Sequence, residues 1–462
     1  MRQPVVIYTC VECDAQSPKW TGQCMECGAW GSMSAGAPAK KTAATALLAK
    51  AAAVTSFGDL ASERERRIPV GLAEADRVFG GGIVPGSITL LGGEPGIGKS
   101  TLAMIIASRL ASAGRKALYV SGEESASQVK MRADRLALGQ QGLYFLSETD
   151  VATLIATLTA EKPLFAVIDS VQMLRCDDVP AEAGAVGQIR AAAAKLVAFA
   201  KSSGVPILLI GHVTKDGIVA GPKTLEHLVD TVLSFEGERT HPLRTLRALK
   251  NRFGSTDETG IFEMRDDGLA EIKNPSAYLL EARQEGVPGS AISCVMEGSR
   301  PVLVEIQALV QKTSFGYPAR KASGIEQSRV DMLLAVLARR AGLDFGQYDV
   351  FVNVVGGLKV REPGADLAIA LALASALRHV PLPPRFAAWG EIGLGGEIRP
   401  VPAHDRRAAE AAALGIAAAA APLPRSSKKR AEGIALTDAK NLRDTLAALD
   451  PVKSPVKSAA AR

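Results

Sequence analysis

An α/β fold built on a parallel sheet flanked by helices is the architecture this sequence predicts, with a metal-binding module before it and a smaller mixed α/β domain after it. Three observations carry that expectation. From about Ile68 onward, short apolar runs alternate with helix-patterned stretches, as expected of a parallel sheet buried on both faces. The first run, Ser87-Ile88-Thr89-Leu90-Leu91, opens through Gly93-Glu94-Pro95-Gly96-Ile97-Gly98-Lys99-Ser100 into the helical pattern that starts at Thr101. Two Cys-x-x-Cys pairs, Cys10 with Cys13 and Cys24 with Cys27, stand near the N-terminus with ten residues between them.

The whole chain sets bounds on these readings. Its 462 residues leave room for roughly two to four domains, each large enough to bury a core. A net charge of +6 and a pI of about 8.9 permit an anionic partner without demanding one. No run of eighteen apolar residues occurs, and the N-terminus lacks the basic-then-apolar pattern of a secretory leader. A cytoplasmic chain with no membrane contact is therefore expected, and there six cysteines argue against a disulfide framework.

Taken in order, residues 1–31 form the metal module. Each Cys-x-x-Cys knuckle offers two thiolates, and four soft sulfurs in a tetrahedron select Zn²⁺ and leave no position open for water. A structural zinc site on Cys10, Cys13, Cys24 and Cys27 is predicted, while Cys176 and Cys294 stand alone as ordinary packing residues. Residues 32–67, with Ser34-Ala35-Gly36-Ala37-Pro38 and an alanine-rich run, read as a linker. In residues 68–273, apolar strands are expected at Ile88–Leu91, Ala117–Val120, Leu164–Ile168, Ile207–Ile210 and Thr231–Phe235, with a helix over Ala191–Lys201. Residues 274–450 change pattern. A hairpin over Ala291–Met296 and Val302–Ala308 turns at Glu297-Gly298-Ser299-Arg300, and helices follow at Gln327–Ala341 and Asp366–Leu377. The last residues, 451–462, rich in Lys, Pro, Ser and Ala, read as a disordered tail.

The glycine loop fixes the chemistry. Its spacing fits G-x-x-x-x-G-K-[ST], in which backbone N–H groups curl around phosphates at a helix N-terminus. Lys99 would reach the β- and γ-phosphates, and the Ser100 hydroxyl would ligate Mg²⁺. Seventy residues after Lys99, the run Leu164-Phe165-Ala166-Val167-Ile168 ends in Asp169, a carboxylate placed to hold that Mg²⁺. A second strand ends in Ser121-Gly122-Glu123-Glu124-Ser125. ATP hydrolysis needs a base for the attacking water; Glu123 is favoured, although adjacent residues point to opposite faces and the pair stays open to either. Gly211-His212-Val213-Thr214-Lys215-Asp216-Gly217 also ends a strand and could sense the γ-phosphate. In Lys250-Asn251-Arg252-Phe253-Gly254, two cations flank an amide, suited to a neighbouring subunit's phosphate or to nucleic acid.

Together, the four-cysteine module, Gly93–Thr101, Ser121–Ser125 and the intact Lys250–Gly254 pentapeptide resemble the bacterial RadA (Sms) family of DNA repair proteins over nearly the whole chain. The resemblance implies a RecA-like ATPase core, similar also to the replicative helicase DnaB. It further implies a ring hexamer carrying nucleotide between subunits and single-stranded DNA in its channel. The activity implied is an ATP-driven motor that promotes branch migration on branched DNA in recombinational repair, together with the RecA recombinase. Carried over by motif, Gly93, Glu94, Pro95, Gly96, Ile97, Gly98, Lys99, Ser100, Thr101 and Asp169 serve phosphate and metal. Glu123 matches the catalytic glutamate, and Lys250 and Arg252 act in using ATP and binding DNA.

Residues 274–450 resemble the proteolytic domain of Lon, but its serine and lysine are missing. Gly364 and Ala365 stand at the nucleophile loop Glu362-Pro363-Gly364-Ala365-Asp366, and the lysine position falls near Asp405. With neither hydroxyl nor amine, the dyad cannot work, so an inactive protease-like domain kept for assembly and DNA contact is expected. Lys312, Arg320, Lys321, Arg329, Lys359, Arg361, Arg406 and Arg407 are candidates to line a DNA path. Two other functions compete with the motor: a regulatory scaffold ATPase resembling KaiC, and, against the missing dyad, an ATP-dependent protease.

Overall fold

The structure is a computed structural model that describes residues 8–10, 16–17, 19–25, 28–35, 56, 67–111, 115–211, 225–238, 241–314, 316–423 and 432–449. The expected linker (apart from Ser32–Ala35, Ser56 and Arg67), the tail, Cys13, Cys27 and the stretch from His212 to Gly217 lie outside these residues.

At the N-terminus, β1 (Tyr8–Cys10) pairs antiparallel with β2 (Gln16–Ser17) and with β3 (Met33–Ala35). The small sheet thus takes in residues beyond 31. Cys10 and Cys24 are buried together against Met33.

A nine-stranded sheet follows. It comprises β4 (Ile88–Gly92), β5 (Ala117–Ser121), β6 (Leu143–Leu146), β7 (Phe165–Asp169), β8 (Ile207–Ile210), β9 (Thr231–Glu236), β10 (Leu243–Asn251), β11 (Thr259–Arg265) and β12 (Gly268–Glu271). In the order β9-β4-β8-β7-β5-β6 the strands run parallel. The expected strands β4, β5, β7, β8 and β9 form this part, and β4, β5 and β7 are buried at every residue. Helix Lys99–Ala111 packs on one face, and helices Val151–Glu161 and Val186–Ser203 on the other. The sheet is not parallel throughout: β10, β11 and β12 extend it antiparallel beyond β9. Strand β10 hides from a pattern search because Arg244 and Arg247 interrupt its apolar residues, although Arg244 is itself buried.

The third sheet, seven-stranded, holds β13 (Ser290–Glu297), β14 (Arg300–Lys312), β15 (Arg320–Ser323), β16 (Tyr348–Val354), β17 (Phe386–Ala388), β20 (Ala418–Ala421) and β21 (Ala435–Asp438). A separate pair, β18 (Glu391–Ile392) and β19 (Ile398–Arg399), sits beside it. The β13–β14 hairpin turns where expected, with Gly298 at φ 64°. Helix Gln327–Val336 continues as a π-helical turn to Ala341, and helix Asp366–Arg378 is buried along most of its length. The two larger sheets are joined directly by Arg247 to Glu297, and the elements around them by Arg300 to Glu74 at 3.0 Å, Lys359 to Glu238 at 3.5 Å and Arg361 to Glu236 at 3.5 Å.

Candidate active site

The site gathers at the C-terminal edge of the parallel strands, where open α/β sheets carry their ligands. Strand β4 ends at Gly92 and the loop Gly93–Gly98 delivers the chain into helix Lys99–Ala111. Two glycines of this loop are dictated by space. A Cβ on Gly93 would stand 2.4 Å from the Phe235 carbonyl oxygen, and one on Gly98, at φ 111°, 2.6 Å from Met264 Cε. Glu94, Pro95 and Gly96 are exposed, Ile97 is buried, and Ser100 and Thr101 are half-buried at the helix start.

Lys99 is only 3 % exposed. Its Nζ donates to the carbonyls of Gly93 at 2.9 Å and Glu94 at 3.0 Å. Burial lowers its pKa, and Asp169 and Glu123 partly oppose that shift. Both carboxylates therefore face the same ammonium. Asp169, at the end of β7, lies in register with Ser121 at the end of β5. Its Oδ2 accepts a 2.6 Å hydrogen bond from the Tyr119 hydroxyl. Burial, then Asp169 itself, raises the Tyr119 pKa, so the phenol stays a donor.

The neighbouring glutamates part ways. Glu123 is exposed, and its Oε1 accepts a 2.5 Å hydrogen bond from Ser170 Oγ, one residue beyond Asp169. Glu124 instead pairs with Arg132 of helix Ala126–Arg135. That helix starts immediately after the pair because Ser125 and Gln128 form a capping box, which fixes where each glutamate leaves the backbone. Tyr119, Ser170 and Arg132 were not legible as site residues. A tyrosine in an apolar strand reads as core, and no local motif marks the other two.

Lys250 and Arg252 are not brought to this cluster within the chain. Strand β10 runs antiparallel, so Asn251 pairs with Thr231, level with Thr89 at the start of β4. The pentapeptide thus occupies the opposite edge of the sheet from the Gly93–Gly98 loop. There Lys250 Nζ donates to the carbonyls of Val229 at 2.8 Å and Glu226, while half-exposed Arg252 meets Asp230 at 3.1 Å.

The protease-like loop carries no dyad. Around Gly364 stand the Glu362 carboxylate and the Arg407 guanidinium, and Arg407 Nη1 and Nη2 each meet Glu362 at 2.7 Å. Arg407 is 0 % exposed; the expectation that it lines a DNA path is corrected by this buried pairing. Arg329 grips Asp366, while Lys359 and Arg361 stay exposed and lie 3.5 Å from Glu238 and Glu236.

For zinc, the described residues supply two sulfurs. Cys10 and Cys24 lie in one buried cluster, and Gly28 N–H donates to the Cys24 carbonyl at 2.9 Å, the tight turn of a metal knuckle. These two buried thiols fit a soft ion such as zinc, and Cys13 and Cys27, the other two expected ligands, lie outside the described residues. Among the described residues, no helix is long and apolar enough to cross a membrane.

The comparisons agree with this layout. A family profile described as an AAA domain matches residues 57–217, and one described as a rubredoxin metal binding domain matches residues 8–35. The protein named DNA repair protein RadA from Bacillus subtilis (strain 168) is 47% identical over 416 residues, covering 88% of this chain and 90% of that protein. Its namesake from Pseudomonas aeruginosa is 46% identical over 446 residues, 96% of this chain and 98% of that protein. The one from Escherichia coli (strain K12) is 46% identical over 457 residues, 97% and 99%. With a phosphate loop, an opposed pair of carboxylates and a cysteine-knuckle module in one chain, and relatives this similar along nearly all of it, the chain belongs to the RadA family of DNA repair proteins.

Proposed function

We propose that this chain is a DNA repair ATPase that works as a motor, translocating on single-stranded DNA as a ring oligomer and promoting branch migration of recombination intermediates with a RecA-type recombinase. One observation carries the motor reading: the cluster Lys99–Asp169–Glu123 and the pentapeptide Lys250–Gly254 lie at opposite edges of one sheet. A cation there reaches a γ-phosphate only on another subunit. Subunits stacked edge to edge would complete each other's sites, the trans-acting arginine arrangement.

In this reading the Gly93–Gly98 loop and Lys99 hold the phosphates. Ser100 and Asp169 would hold Mg²⁺, which would supply positive charge against the phosphates. Tyr119 orients Asp169 through its hydrogen bond to Oδ2. Glu123, steadied by Ser170 and open to solvent, accepts the proton of the attacking water as the bond to the bridging oxygen breaks, leaving ADP and inorganic phosphate. Lys250 and Arg252 act on the neighbouring subunit's nucleotide or on DNA, and the basic surface of the third sheet contacts DNA. Residues 1–31 with zinc, extended by β3 to Ala35, 68–273 and 274–450 are the working units.

The deciding experiment is ATP hydrolysis with and without single-stranded DNA at two salt concentrations. Stimulation that fades as salt rises supports a motor gripping phosphates. A slow rate indifferent to DNA overturns it in favour of a scaffold ATPase.

A further inference from the structure

Arg244 is 5 % exposed, and among the described residues no carboxylate pairs with it. Its partners are carbonyls alone. Nε donates to the Ile97 oxygen at 3.2 Å, and Nη1 to the oxygens of Glu238 and Leu243 at 2.9 Å and of His241. Burial lowers its pKa, with no opposing acid. A buried cation without a counter-charge is unfavourable unless something else supplies one.

Its position says what does. Strand β10 runs antiparallel to β9, so Arg244 lies at the phosphate-loop edge, at the other end of β10 from Lys250. Ile97 is the residue before Gly98 in the loop itself. In a planar trans peptide the C=O and the next N–H point in opposite directions. Holding the Ile97 oxygen therefore aims the Gly98 N–H away from Arg244. The other end of the side chain is anchored as well: it holds the carbonyls of Glu238 and His241 between β9 and β10 and of Leu243 at the start of β10, and Glu238 pairs with Lys359 of the segment after β16.

We propose that Arg244 is a positioning residue for the nucleotide: it holds the Ile97–Gly98 peptide in its phosphate-binding orientation, and its buried charge is balanced by the polyphosphate. This rests on the ATP-site reading above. The charge acts through the loop rather than by contact, so its effect grows with the number of phosphate charges in the site.

The test is calorimetric affinity of the full chain for a non-hydrolysable ATP analogue and for ADP, with Mg²⁺, for the wild type, Arg244→Met and Arg244→Lys. Arg244→Met is expected to weaken the triphosphate roughly ten- to a hundredfold, the range for losing hydrogen bonds from a charged donor, and ADP by a smaller factor. Arg244→Lys, which keeps the cation but not the fork, is expected to fall between. A folded Arg244→Met that binds both ligands as tightly as wild type overturns the proposal. An equal loss for both ligands does so too, because a merely architectural role has no reason to follow ligand charge. Should Arg244→Met fail to fold, Arg244→Lys decides by the same comparison: a larger loss for the triphosphate supports the proposal, and an equal loss or none overturns it. Failure of the underlying reading looks different, since wild type itself would then bind no triphosphate.

Discussion

Two loops of this molecule each lead into a thirteen-residue helix, Gly93–Gly98 into Lys99–Ala111 and Glu362–Ala365 into Asp366–Arg378. Their buried charges are handled in opposite ways. At the first loop, among the described residues, Lys99 has only carbonyl oxygens as hydrogen-bond partners, as does Arg244 behind it. At the second, Arg407 is closed by a two-pronged pair with Glu362. Asp366 is clasped by Arg329 at 2.8 Å and by the Ile392 N–H at 3.0 Å. In the ATP-site reading, a loop that awaits an anion holds its buried cations without a salt bridge, whereas around the Glu362–Ala365 loop the buried arginine and aspartate are paired with opposite charges. The difference separates a binding site from a structural joint more sharply than either loop's sequence does.

The comparison can be broken most directly at Lys99. Lys99→Ala is expected to lower ATP turnover by roughly a thousandfold or more, with the far-UV spectrum unchanged. Normal hydrolysis by that variant would remove this contrast altogether. At the other loop, Arg407→Met is expected to destabilise the fold by about 3 kcal/mol, because it leaves the partly buried Glu362 carboxylate without its cation. Denaturant unfolding reads this, and the double change with Glu362→Met should recover much of the loss. If Arg407→Met unfolds at wild-type denaturant concentrations, the second loop is not held as described.

The glutamates sharpen the picture further. Glu123→Gln should slow hydrolysis by roughly a hundred- to a thousandfold with nucleotide affinity preserved, while Glu124→Gln should stay within a few-fold, since Arg132 already occupies its carboxylate. Single-turnover rates that fall equally would reject that division. The smallest effect expected is in the pH dependence of binding. Burial lowers the Lys99 pKa in the empty site, and phosphates beside it would raise it again. Affinity is then fully present below the empty-site pKa and falls as pH rises through that value toward the bound one, with a proton taken up on binding between them. Calorimetry in two buffers of different ionisation enthalpy measures this uptake, and its absence at alkaline pH would count against Lys99 as a phosphate ligand.

Much of the first loop and its strand was legible because the information is local. Gly93, Gly98, Lys99 and Ser100 stand within one turn of backbone, and Asp169 closes an apolar strand. Strand β10 was less so, because Arg244 and Arg247 look like surface residues until the elements that receive them are in place. The same holds for Arg407, which resembles a DNA-binding cation in the sequence and is buried in the fold.

By itself, then, the sequence determined the α/β class, the phosphate loop and the two cysteine knuckles. Each rests on short motifs or on a local apolar pattern, where backbone geometry and side-chain chemistry act directly. Only the tertiary structure decided that Glu123 is held by Ser170 beside Asp169 while Glu124 is held by Arg132. It alone placed the Lys250–Gly254 segment across the sheet from the phosphate loop, and showed which buried arginines have a counter-charge. Those outcomes depend on strand order and on burial, which bring together groups such as Ile97 and Arg244 that are remote along the chain, and in a low-dielectric interior the partner a charge meets decides what it can do.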